Sequence, residues 1–269
     1  MLTVNKIERA EEFFMKSVMK EQVINEKRYL EKTKILDFNH PTIEQLVLNR
    51  RWDGLSDYHK IGAAYHFVKD EILFGYNESD DLTASQVLKE GYGQCNTKAT
   101  LFMALLRRLN IACRFHGFTI DKPLQKGVIP AYILLLTPQK IIHSWVEVLY
   151  NDEWVNLEGF IIDPELLSVV QAKHSDIKGC FSGYGVSTKN LANPQVDWQG
   201  KSTYIQREGI HDDFGVYDSP DEFFQEKGTN LKGIRRLMYG FVVRHLINLN
   251  VKFKRSQFRS HVIASTTTT

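Results

Sequence analysis

Gly91-Tyr92-Gly93-Gln94-Cys95-Asn96-Thr97-Lys98-Ala99-Thr100-Leu101-Phe102 is the stretch whose reading decides the fold. Two glycines loosen the backbone, and a cysteine follows at once. Ala99, Phe102, Leu105, Leu106 and Leu109 then recur on one helical face, and Asn110 is a plausible stop. That order puts a thiol at a helix N-terminus. There the unpaired N–H groups and the positive end of the helix dipole favour a thiolate, the nucleophilic form. A cysteine needed only for packing more often sits inside a helix or strand. On that ground Cys113, in a strand, and Cys180, in an irregular stretch, read as packed residues.

Upstream, residues 5–35 read as helix, with Ile7, Phe13, Phe14, Val18, Met19 and Val23 at helical spacing. Pro41 suits a first helical turn, Ser56 can cap the next helix, and Thr83-Ala84-Ser85-Gln86 matches a capping box. Downstream come four strand-like runs, Ile111 to Ile120, Val128 to Leu136, Ile141 to Tyr150 and Trp154 to Ile162. The last two flank Asn151-Asp152, a turn dipeptide, and so predict an antiparallel hairpin. Residues 163–225 hold glycines and little periodicity, and read as an irregular region forming a cap over a cleft. Leu231 to Leu249 reads as a last amphipathic helix. Leu231, Ile234, Leu237, Met238, Phe241, Val242, Leu246 and Leu249 are expected to face the core, with a solvated basic face opposite. From Lys227 to the end there are nine Lys/Arg and no Asp or Glu, a bias that also suits acidic lipid or nucleic acid, though the core-facing helix is the reading taken.

A nucleophilic thiol needs a base. His143, within Ile141-Ile142-His143-Ser144-Trp145-Val146-Glu147-Val148, sits where strand alternation fixes the direction of the ring. The base needs an acceptor on its second nitrogen. If Tyr150 pairs with Glu153, Glu158 becomes the diagonal neighbour of His143 on the same face, within reach of a long side chain. A one-residue slip would send Glu158 to the opposite face, which leaves Asp163 as the alternative acceptor.

Gly93-Gln94-Cys95, the helix ending Leu105-Leu106-Arg107-Arg108-Leu109, then His143-Ser144-Trp145-Val146-Glu147-Val148 and Trp154-Val155-Asn156-Leu157-Glu158 resemble the core of the transglutaminase-like superfamily over roughly residues 60–165. The resemblance implies an α+β, papain-like fold, with the nucleophile helix packed on an antiparallel sheet and helical additions at both ends. It implies Cys95 as nucleophile, His143 as general base and acid, and Glu158 as orienting carboxylate. This family usually has Asp where Glu158 stands, so the charge is kept and a methylene is added. The implied chemistry is acyl transfer through a thioester, with the Cys95 backbone N–H, and Gln94 or another upstream side chain, as oxyanion donors. Hydrolysis of a peptide or amide is the expected outcome. Amide-forming transfer to an amine, and an inactive binding module, are the alternatives within the same superfamily.

Tyr204 to Gly215 is polar, aromatic and glycine-bearing, so Tyr204 and His211 are candidate substrate contacts beside Trp145. Zinc ligation by the three cysteines with His116, His174 and His211 lacks ligand spacing, and no metal or cofactor is expected. No phosphate-binding glycine motif is present.

The totals bound these readings. The chain has 269 residues, 43% hydrophobic and 25% charged, and a net charge of +2, which demands no polyanionic partner. Three cysteines with no C-x-x-C spacing fit a reducing compartment. No signal-peptide core or apolar run of spanning length is seen, so the expectation is a cytoplasmic protein. Its expected partner is a peptide, protein or small amide substrate, and no nucleic acid. The expected layout is an N-terminal helical extension over 1–55, a catalytic core over 56–165, and a cap with the amphipathic helix over 166–269, all in one domain.

Overall fold

The computed structural model describes residues 27–231 and 233–266. Its centre is helix Cys95–Arg108, buried along nearly its whole length, on a four-stranded antiparallel sheet. In chain order the strands are β1 (Leu73–Phe74), β2 (Tyr92–Gly93), β3 (Cys113–Asp121), β4 (Lys140–Tyr150), β5 (Glu153–Leu157), β6 (Phe181–Gly183), β7 (Val186–Thr188) and β8 (Ile210–Tyr217). The helices are α1 (Pro41–Asn49), α2 (Asp57–His66), α3 (Ala84–Glu90), α4 (Cys95–Arg108), α5 (Ala131–Leu134), α6 (Pro164–Lys173), α7 (Pro220–Lys227), α8 (Gly233–Met238) and α9 (Arg244–Thr266). The main sheet runs β5-β4-β3-β8. One face of its inner strands, Cys113, Phe115, Val146 and Val148, joins α4 in a single apolar core.

The β4–β5 hairpin has the expected register, with Tyr150 opposite Glu153 and Val146 opposite Leu157. Asn151 and Asp152 both take positive φ, 51° and 62°, and make a two-residue turn whose twist matches the strands. The capping box at Thr83 forms: its Oγ1 accepts from the Gln86 backbone, and its N–H donates to Gln86 Oε1 at 3.0 Å. Gly91 ends α3 in the left-handed region at φ 70°, and two residues of parallel pairing, Leu73 with Tyr92 and Phe74 with Gly93, lead into Cys95.

Several expectations fail for identifiable reasons. Val128 to Leu136 is not a strand: Pro130 supplies no N–H to a ladder, and its φ of −52° starts the short helix α5 instead. The run from Trp154 leaves the sheet at Leu157. A Cβ at Gly159 would lie 2.5 Å from Tyr65 Oη and 2.7 Å from Val196 Cα, so the chain turns there in a gap only glycine fits. The region 163–225 is more ordered than its composition implies. Asp163-Pro164 and Ser219-Pro220 are each an N-cap followed by proline at the first helical position, and they open α6 and α7. β8 joins the main sheet beside β3 through an irregular register. The helix expected over 5–35 lies mostly outside the described residues, and from Tyr29 to Ile35 the chain is turn and coil.

The largest correction concerns the C-terminal helix. The residues expected to face the core face solvent: Leu237, Met238, Phe241, Val242, Leu246 and Leu249 are all exposed. Tyr239, Val243, Ile247 and Val251 turn inward instead. The segment carries two apolar stripes, and periodicity alone does not say which of them finds the core.

Candidate active site

Cys95 is the first residue of α4, where backbone N–H groups have no carbonyl four residues back to bond. The thiol is only 9% exposed, and what it meets is a cavity of about 390 Å³. Its lining includes the polar residues Gln94, Asp80, Gln125, Tyr76 and Asn230 with Cys95. Most of the rest of the lining is apolar, with Ile129, Ile133, Val243 and Ile247 among it.

His143 and Glu158 are brought together as the hairpin register expects. His143 Nε2 lies 2.8 Å from Glu158 Oε1, and both side chains are fully buried. His143 Nδ1 has no hydrogen-bond partner among the described residues and is the nitrogen left to face Cys95. Burial works against a charged ring here, but the neighbouring Cys95 and Glu158 more than offset it. Together they raise the His143 pKa to about 9. The second oxygen of Glu158 accepts backbone N–H bonds from Ile205 and Gln206, each 2.9 Å. The glutamate is therefore held at both ends, by the histidine it orients and by a loop nearly fifty residues downstream. The Glu158 N–H in turn donates to the Thr203 carbonyl at 3.1 Å, and Tyr65 Oη donates to Thr203 Oγ1 at 3.0 Å.

Asp163 is elsewhere. It caps α6 through Leu166 N–H at 2.9 Å, accepts from Phe74 N–H at 2.8 Å and pairs with Arg255. These contacts hold its pKa below the usual carboxylate range against the opposing effect of burial. It has no contact with His143, and the alternative acceptor is set aside.

A polar cluster invisible to pattern reading fixes the strand that carries His143. Asn96 Nδ2 donates to the Ile142 carbonyl at 3.2 Å, and Asn230 Oδ1 accepts the Ile142 N–H at 2.8 Å. Buried Asp80 gathers both asparagines and Gln94: it accepts from Asn96 Nδ2 at 3.0 Å, Asn230 Nδ2 at 3.0 Å and Gln94 Nε2 at 3.3 Å. Ser144 Oγ closes the set on Asn96 Oδ1 at 2.9 Å. Asn96 is fully buried together with the polar Thr97, Lys98 and Thr100 of the same helix, so its side chain did not stand out in the sequence.

The weaker candidates divide. Gln94 lines the cavity beside Cys95, with its Oε1 already accepting from Asn77 N–H at 2.9 Å. Trp145, Tyr204 and His211 do not line it. Trp145 stacks near Phe118 at 4.2 Å between ring centroids, because alternation turns it to the sheet face away from Ser144 and Val146. Tyr204 packs near Trp145, its hydroxyl accepting from Asn156 Nδ2 at 3.1 Å. His211 is exposed on β8 beside Asp212. The cleft is covered by residues 229–247 of the C-terminal segment, not by 163–225, of which only Gln206 reaches it. Among the described residues no group of three or more His, Cys, Asp or Glu is placed to hold a metal ion. Cys113 is buried in the core, whereas Cys180 is exposed and not packed.

No curated protein matches the chain at a significant level. A solved structure of a candidate cysteine protease from Cytophaga hutchinsonii resembles it with 10% identity and a TM-score of 0.42, over 74% of this chain and 48% of that one. The chain thus spans about half the length of that protein. The family core matches from residue 48 to residue 159, a span that holds Cys95, His143 and Glu158. The model matched over residues 48–159 is that of the transglutaminase-like superfamily, so this part of the chain is similar to that superfamily's core.

Proposed function

We propose that the chain is a cysteine-dependent acyl-transfer enzyme that hydrolyses a peptide or amide bond through a thioester. The observation that carries this reading is the buried His143–Glu158 pair beside a cavity-lining thiol at a helix N-terminus. Binding alone requires no such pair, and burying it without a use costs desolvation.

In this mechanism His143 takes the Cys95 proton and Glu158 stabilises the imidazolium. The thiolate attacks the acyl carbonyl, and the Cys95 backbone N–H, with Gln94 as the second donor, faces the developing oxyanion. His143 returns the proton to the leaving amine, and water then opens the thioester. Aliphatic walls suit an apolar acyl group. Thiol alkylation at neutral pH tests the chemistry: Cys95 should react faster than an unstructured cysteine, and His143→Ala should abolish the excess. Unchanged rates in both would leave a binding module. Trapped acyl-enzyme decaying faster with an added amine would instead favour amide formation.

A further inference from the structure

We propose that the outward face of the C-terminal helix, with the loop bearing Leu135 and Leu136, docks on an anionic lipid bilayer, so that the mouth of the Cys95 cavity opens at the lipid surface.

Phe241 is 77% exposed, Leu249 62% and Phe253 59%. These are not stray apolar side chains. Leu237, Phe241, Leu246, Leu249 and Phe253 follow one another at steps of 4, 5, 3 and 4 residues. The five-residue step crosses a π-turn, Tyr239–Val243, whose wider winding absorbs the extra residue and keeps one stripe aligned. Nor is this a face that failed to reach the core. Asn248 exchanges two bonds with the Tyr76 backbone, 2.8 and 2.9 Å, and Asn250 Nδ2 donates to the Val128 carbonyl at 2.6 Å. Those anchors set the rotation of the helix and hold the stripe outward. Across the cavity mouth Leu135 and Leu136 are 79% and 85% exposed. Leu136 and Met238 both line the cavity and face solvent, so the apolar surface is continuous with its entrance.

Charge selects the occupant. The sequence has nine Lys/Arg and no acid from Lys227 onward; Lys227, Arg236, Arg244 and Arg255 pair with Glu226, Asp81, Glu90 and Asp163, and Lys252 and Lys254 stand beside the apolar stripe. Lys252 is exposed, and the Lys254 amine sits 6.0 Å from the Phe253 ring centroid, the arrangement of a cation beside an apolar anchor at an interface. A second copy would set its own Lys252 and Lys254 against these with no acid on the helix to receive them. Residues 1–26 carry four Lys/Arg and five Glu, too balanced to complement them. Nucleic acid would pair the cations yet leave Phe241, Leu249 and Phe253 in water. An anionic bilayer answers both the charge and the apolar stripe.

Flotation of the full chain with phosphatidylcholine vesicles, with and without phosphatidylglycerol, tests the proposal. Binding should require phosphatidylglycerol and weaken with salt. It should fall about tenfold or more in Phe241→Ser/Leu249→Ser, and comparably in Lys252→Glu/Lys254→Glu; Phe241, Leu249 and Lys252 are exposed and Lys254 is half-buried, so none belongs to the core and folding stays intact. Equal binding to both vesicles, binding unmoved by either double variant, or binding to duplex DNA but not to phosphatidylglycerol would overturn it. So would vesicle binding that emerges only when residues 1–26 are removed, or a Phe241-dependent dimer that excludes vesicles.

Discussion

His143 Nε2 lies 2.8 Å from Glu158 Oε1 with no solvent access to either side chain, while Glu158 Oε2 is taken by two backbone N–H groups of Ile205 and Gln206. The carboxylate thus spans two fixed points. The extra methylene over aspartate is what lets one residue reach both.

Glu158→Gln keeps the shape, removes the charge and can present N–H where His143 needs an acceptor. Activity should fall by about 10³–10⁴ in kcat/KM, with little change in KM. Glu158→Asp keeps the charge but cannot hold both contacts, and should lose more than about tenfold. Full activity in Glu158→Asp would mean that the loop clamp is dispensable.

Asp163→Asn separates structure from chemistry. Its contacts are a helix cap, a backbone N–H and Arg255, so the substitution should cost about 1–3 kcal/mol of stability and leave kcat within a few-fold. Denaturant midpoints and steady-state rates check both. A large drop in kcat with unchanged stability would return the orienting role to Asp163.

The raised His143 pKa gives a signed pH dependence. A ring held near 9 when folded, against 6.5 ordinarily, stabilises the fold fully below about pH 6.5, and that contribution disappears as pH rises through about 9. Activity should show an alkaline limb in kcat/KM near that value, as the imidazolium that protonates the leaving group is lost. In Glu158→Gln the limb should move to lower pH. A limb that stays in place would show that Glu158 does not hold the charge.

Lys98, one turn beyond Cys95, is fully buried, and its Nζ has no hydrogen-bond partner among the described residues. Burial lowers its pKa from 10.5 to about 7, with Asp163 opposing. The unfolded amine keeps its proton up to about pH 10.5, so this group makes stability rise with pH between about 7 and 10.5. Lys98→Met should stabilise the protein by about 1–4 kcal/mol at neutral pH or below, the gain fading toward pH 10.5. Urea unfolding at two pH values checks this. A destabilised variant would reveal an unseen partner for the amine.

Tyr204 and His211, read from the sequence as substrate contacts, lie outside the cleft, while the loop that bears Tyr204 grips the Glu158 carboxylate through its backbone at Ile205 and Gln206. Backbone donors carry no residue signature, so nothing in the side chains announced them. Asp80, Asn96 and Asn230 were likewise unreadable as a set, since they come from three separate segments that meet only in the fold, where Asp80 binds both asparagines and the asparagines bind the backbone of Ile142.

What the amino-acid order determines by itself is local. A cysteine after two glycines opens a helix, Asn151-Asp152 makes a tight turn, and the register it sets ends β5 at Leu157, one residue before Glu158, which then reaches His143. Those rest on short-range geometry, a turn type and a register, and are legible in one chain. What only the tertiary structure decides is which of two competing surfaces is buried. Periodicity showed that the C-terminal helix is amphipathic, and Asn248 and Asn250, bonded to backbone more than a hundred residues away, chose which stripe meets the core and which meets solvent.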